Sequence, residues 1–194
     1  MTNLEYRSLV NRNIKIKYYD NNNINLLVNN INNSKQINNI NFVINKYEYL
    51  LFNMLIKSKE KPNKSLSITS VFDLEYIPKV KLSKYINNLC IYSNIKCSST
   101  IIYSLPLIDK LLNKTDIYLS KLNVYTIVFT ALCLSMKINE EYVPTDKSLA
   151  FLGMIDIKDY VFYESYFLYS INYNILIDSD EYNVYSTLFN NFNF

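Results

Sequence analysis

The chain has no histidine and a single glycine, Gly153. Without histidine there is no Ser-His-Asp triad, no Cys-His dyad and no histidine metal site. One glycine excludes a Walker-type phosphate loop and a dinucleotide-binding fingerprint. Cys90, Cys97 and Cys133 are odd in number and lack CxxC spacing, so neither a disulfide framework nor a zinc site is indicated. They are expected as small buried side chains in a reducing compartment. With only four prolines as well, a turn-rich β architecture is disfavoured, and helices joined by polar loops are expected. No cofactor, no metal and no catalytic residue is expected.

Charge and long apolar runs are also scarce. The formal net charge is +3 and no dense Lys/Arg cluster stands out, which argues against a nucleic-acid partner. The most apolar run, residues 122–136, is too short for a membrane span, which needs about 20 apolar residues. The opening MTNLEYRSLV carries Glu5 and polar residues and does not read as a signal peptide. A soluble intracellular protein, cytoplasmic and/or nuclear, is expected.

What is present is core-forming material: 49% hydrophobic residues over 194 positions, enough for one sizeable domain plus an appendage. The heavy use of Asn, Ile, Lys and Tyr is given no functional weight. The tyrosine-rich stretch 160–169 lacks the basic groove that base stacking would require. Glu140 and Glu141 read as a solvated loop after a helix rather than a catalytic pair.

Residues 1–34 give no firm element. Ile40, Val43, Ile44, Tyr47, Leu50, Leu51, Met54 and Leu55 then recur at spacings of three and four, which places them on one face of a helix over 40–55 expected to pack on the bundle. KSKEKPNK, residues 57–64, is expected to stop that helix and act as a linker. The organisation read from this is an extension, 1–64, followed by a main domain, 65–194. Residues 65–80 are expected to be an extended entry segment, with Pro78 turning Ile77 from helical geometry. Five helices follow, over about 82–92, 98–112 (Ser98 or Ser99 as cap, Pro106 inside), 123–137 (Asn123 as cap), 147–152 (Thr145 or Asp146 as cap, Gly153 as stop) and 157–171 (Asp156 as cap). A last helix covers about 180–190. The fold class is all-α: five helices bundled around a buried central one, with an added helix at each end.

The third and fifth of these helices carry the functional lead. NVYTIVFTALCLSMK, 123–137, has Lys137 as its only charged residue, and DYVFYESYFLYSI, 159–171, has Glu164 as its only interior one. Helices apolar almost all round are buried, and a lone charge beside such a surface needs a partner. Two plain readings stand beside that one. Lys137 suits a helix C-terminus facing solvent, and Glu164 suits an internal bridge to Lys137. Small residues Thr130, Ala131, Cys133 and Ser135 let neighbours approach the third helix closely, which marks it as the hub.

Four segments in uninterrupted order, SVFDLEYIPKVKLSKYI, LPLIDKLL, LNVYTIVFTALCLSMKINEEY and LGMIDIKDYVFYESYFLYSINYNILI, resemble the cyclin box, specifically the short single-box cyclins of the phosphate-response (P or U) type. The resemblance runs from about Ser65 to Phe189. It implies a non-enzymatic regulatory subunit that binds and activates a cyclin-dependent protein kinase, in a heterodimer and without cofactor. It implies that Lys137 and Glu164 lie on the kinase-gripping face, with Leu134, Ile138, Val161, Leu168 and Tyr173 as apolar contacts around them. Val161, Glu164 and Leu168 share one helical face by spacing alone. The chain departs from the family where Asn88 replaces the arginine usually paired with the acidic residue of the second box helix, here Asp109. Lys84, Lys110 or solvent is expected to serve Asp109 instead. The first box helix also lacks the family's substrate-docking surface, and a single box is expected, given the few residues after Asn172. The competing class is a cyclin-box scaffold or adaptor that does not activate a kinase.

Overall fold

The computed structural model describes residues 34–59, 70–95 and 97–191. Among them are seven helices and no strand: α1 (Ser34–Lys59), α2 (Leu82–Tyr92), α3 (Ser98–Lys114), α4 (Val124–Asn139), α5 (Asp146–Leu152), α6 (Ile157–Ser170) and α7 (Ser179–Asn191). The five expected bundle helices are α2 to α6. The described residues are all-α, as the pattern implies. Helix α1 is longer than expected at both ends, and residues 57–59 of the expected linker are helical. Lys and Ser are tolerated in a helix, so the stop comes later than the charge run alone suggested. The rest of that linker and the first part of the entry segment, 60–69, lie outside the described residues, as do 1–33.

Every residue of α4 from 124 to 136 is buried, which is why this helix can dispense with a polar face. Each fully buried Leu, Ile or Phe contributes on the order of 2 kcal/mol. Helix α3 shares the centre with it, since it packs against α1, α4, α6 and α7 and buries an unbroken run from Thr100 to Ile108 that includes Pro106. The expected buried central helix is α4, and α3 is buried beside it. Helix α1 lays Ile44, Tyr47, Leu50 and Leu51 onto the bundle, with Tyr47 OH and Ser104 Oγ of α3 hydrogen-bonded at 2.6 Å. Glu48 of α1 accepts from the Ser83 N–H at 3.2 Å, serving the free end of α2 that its own Lys81 leaves uncapped.

The entry segment ties together the two helices that carry the charged pair. Phe72 is fully buried and its ring meets Tyr163, Tyr166 and Phe167 of α6 at 5.7, 5.6 and 6.2 Å between centroids. One residue on, Asp73 accepts from the Asn123 amide at 3.0 Å and Leu74 N–H donates to Leu122 O at 2.9 Å. Tyr125 of α4 donates to Val80 O at 2.6 Å. Burial pushes the Asp73 carboxyl above its usual range, against the hydrogen bonds from Ser70 and Asn123.

Several expected caps work differently. Asn123 precedes α4 but its side chain does not cap that helix. It accepts from Ser120 N–H at 2.8 Å and donates to Asp73 and Tyr118 O, because the turn before α4 offers more partners than the helix end. Cys97, not Ser98 or Ser99, occupies the cap position of α3, and neither it nor Asp156 at α6 makes a side-chain cap bond. Thr145 does cap α5, accepting from Ser148 N–H at 3.3 Å. Cys90 and Cys133 are buried as expected, but Cys97 is exposed at that helix start. Burial pushes the Cys90 thiol up to about 12.

Asp109 is held by neither lysine. It accepts from Tyr185 OH of α7 at 3.0 Å and from Asn113 at 3.1 Å. Lys110, one residue further round the helix, reaches Leu176 O at 2.8 Å and Glu181 at 3.2 Å. The terminal helix thus supplies Asp109 with a neutral hydroxyl donor in place of a cation. Tyr103 OH clasps the chain leading into α7, donating to Ile175 O and accepting from Ile177 N–H, both at 3.0 Å.

Candidate partner-binding face

Lys137 sits in the last turn of α4, where the buried helix first meets solvent. Its Nζ lies 2.6 Å from Glu164 Oε1 of α6, so the two lone charges of the apolar helices are in direct contact. A second carboxylate joins them: Asp146 Oδ1, at the start of α5, is 2.9 Å from the same nitrogen. One ammonium therefore binds three helices at a single point. Tyr160, one turn before Glu164, completes the arrangement. Its hydroxyl donates to Glu164 Oε1 at 3.2 Å, and its ring lies 5.4 Å from Lys137 Nζ, within cation–π range. That ring is itself fixed on Phe129 of α4, 5.6 Å between centroids.

The electrostatics follow from this geometry. Burial works to lower the Lys137 pKa, but its hydrogen bonds to Glu164 and Asp146 outweigh that and raise it. The cation is thus secured well beyond neutral pH. Burial pushes the Tyr160 hydroxyl far up, and the nearby Cys133, Glu164 and Asp146 push it the same way. It therefore stays protonated and remains a donor to Glu164.

Of the apolar residues expected around the pair, Val161 is exposed one turn before Glu164 on the same face, and Ile157 is exposed a further turn back. Ile138 and Leu168 are half-buried and pack against the core. Tyr173 is exposed, beyond the end of α6 in a left-handed conformation at φ 55°, its N–H donating to Leu168 O at 2.7 Å. Leu134 differs from expectation. It is only 4% exposed, because one turn back from Lys137 the helix is already inside the bundle. It supports the face from beneath instead of lining it.

The sequence offers Asp146 only as a candidate helix cap and Tyr160 only as one residue of a tyrosine-rich stretch, neither as part of this face. An acidic residue in the first turn of a short helix is what the helix dipole favours anywhere, and one tyrosine among many carries no signal. The i, i+4 spacing of Tyr160 and Glu164 could have suggested the hydroxyl–carboxylate bond. Among the described residues no group of three His, Cys, Asp or Glu side chains is placed to hold a metal ion, and no helix is long and apolar enough to cross a membrane.

The family model described as "Cyclin, N-terminal domain" matches residues 51–176. That span runs from the last part of α1 to the chain just beyond α6, and it contains the whole Lys137 cluster. No curated protein matches the chain.

Proposed function

The chain belongs to the cyclin family, a family of regulatory, non-catalytic modules, and from that premise we propose that it binds and activates a cyclin-dependent protein kinase through α4 and α6. The observation that carries this reading is the contact between Lys137 and Glu164 at 2.6 Å, across those two helices and beside the exposed Val161. A charge pair set at the edge of an apolar surface fixes the register of a docked partner while apolar burial supplies affinity. The chemistry belongs to the kinase, whose Lys–Glu pair and Mg²⁺ sites must be assembled for phosphoryl transfer. The cyclin contributes by contacting the active arrangement of the kinase's regulatory helix better than the inactive one, which shifts that equilibrium. Lys137, Glu164, Ile138, Val161, Leu168 and Tyr173 would make the contacts, with Leu134 as their support. The finer placement among short single-box cyclins of the P or U type is part of the same proposal, as is a cytoplasmic or nuclear location shared with the kinase.

The test is affinity purification of the full chain, asking for a kinase subunit in stoichiometric amount and for stimulated kinase activity. The double variant Lys137→Glu with Glu164→Arg is expected to lose the kinase while keeping its helical circular dichroism. Full binding and activation by the folded double variant would remove the assignment of the face. Stoichiometric kinase without stimulation would favour a scaffold.

A further inference from the structure

The charged cluster is not balanced. Lys137 is one cation held by two carboxylates, at 2.6 and 2.9 Å, so the cluster carries an excess negative charge. The three groups also differ in access. The Asp146 side chain is 49% exposed, Lys137 33% and Glu164 15%. A partner approaching from solvent therefore meets a carboxylate first. Lys137 has three N–H donors, and two of them are engaged with these carboxylates. The bonds to Glu164 from Lys137 and Tyr160 both fall on Oε1, and Asp146 meets Lys137 through Oδ1. Acceptor capacity remains on the other oxygen of each carboxylate. The face offers acceptors and wants donors.

We propose that Asp146 sets the specificity of this face, selecting a partner helix that presents an arginine beside its apolar anchor. The inference rests on the functional reading above for the identity of the partner, but its chemistry rests on the cluster alone. Ile157 and Val161 are exposed on the α6 face that leads to Glu164 at spacings of four and three, so apolar surface and surplus carboxylate adjoin. A guanidinium is the complementary group: planar, always charged and able to fork between carboxylate oxygens. Had Lys137 met Glu164 alone, the pair would be neutral and would suit backbone amides and carbonyls equally well. Asp146 breaks that balance. A partner with an acidic residue at the same point would be repelled, which is how an interface rejects wrong partners.

The test uses the full chain and a pair of fluorescein-labelled amphipathic helical peptides with leucine on the apolar face. One carries a central arginine on that face, and the other carries citrulline, its uncharged isostere, at the same position. Binding is read by fluorescence anisotropy at low and at physiological ionic strength. The arginine peptide is expected to bind roughly tenfold more tightly, a difference of about 1.4 kcal/mol, with the gap narrowing as salt rises. Asp146→Asn abolishes the preference and Asp146→Glu keeps it, with thermal melts confirming that both variants fold. Equal affinity for the two peptides overturns the proposal, as does a preference that survives in Asp146→Asn, or no saturable binding of either peptide. The kinase purification is scored separately. Kinase recovery without peptide discrimination leaves the functional reading standing and removes this one, and discrimination without kinase does the reverse.

Discussion

Gly153 ends α5 with φ −73°, a conformation any residue adopts, so the left-handed turn usually credited to a helix-terminal glycine is not what requires it. The positive φ falls on the next residue, Met154, at 57°. What Gly153 provides is space: a Cβ there would stand 2.5 Å from the Phe129 ring of α4. That ring also packs on Tyr160 and cannot withdraw freely. Gly153→Ala should destabilise the protein by about 1–3 kcal/mol through overpacking. Chemical denaturation should show that Phe129→Leu recovers part of the loss in a double-mutant cycle. Asp73 offers a second check at this scale. Its pKa is raised by burial, so the folded chain takes up a proton at higher pH than the unfolded chain does. Its contribution to stability therefore grows as pH falls from neutral toward about 3.8, the reverse of a salt-bridged carboxylate. Melting temperatures of wild type and Asp73→Asn over that window should show wild type gaining relative to the variant. Lys137 and Glu164 were legible in the sequence because each is alone in an apolar helix. Asp146 and the Asp73–Asn123 bond were not, since an exposed acid and a pair of polar residues far apart in the chain leave no periodic trace.

Elements were legible where their apolar residues are periodic. The α1 stripe predicted the buried face made by Ile44, Tyr47, Leu50 and Leu51, whereas its ends depended on helix propensity in Lys- and Ser-containing turns, which pattern alone does not fix. The same pattern could not show what α1 does for its neighbours. Glu48 lends α2 an N-terminal acceptor, and Tyr47 bonds Ser104 inside the bundle. Helix α1 thus behaves as part of the packed body. Leu51→Ala should cost about 2–5 kcal/mol. Tyr47→Phe should cost only about 1 kcal/mol, because Ser104 still donates to Ile101 O at 2.7 Å. If α1 were loosely appended, Leu51→Ala would leave the main unfolding transition unmoved. Urea unfolding followed by circular dichroism distinguishes the two outcomes.

For the whole molecule, the Lys137 cluster sits at the rim of a core that does not depend on it. Among the described residues, thirty-seven buried hydrophobic side chains form one continuous cluster, while the ion pairs to Lys137 are partly exposed. Pairs so placed are worth on the order of 1 kcal/mol or less to stability once solvent screening is counted. Stability and binding should therefore separate. Exchanging the charges at Lys137 and Glu164 should shift the melting temperature by only a few degrees while removing the kinase, because a reversed charge facing a docked surface costs far more than a lost rim contact. The exchange also puts a carboxylate beside Asp146, so adding Asp146→Asn should restore the small loss in melting temperature without restoring the kinase. The pH dependence sharpens the same separation. The chain has no histidine, and Lys137 has its pKa raised, so its share of stability is fully present at neutral pH and is lost only as pH climbs through that raised value. With no histidine and with Lys137 held charged, the cation of this face gives no reason for kinase affinity to change between about pH 6 and pH 9. A titration of affinity over that range that stays flat for wild type, and for a kinase whose own contact residues do not titrate there, is the expected result. A transition centred near pH 6.5 with that kinase would mean that the docking face lies somewhere other than the Lys137 cluster.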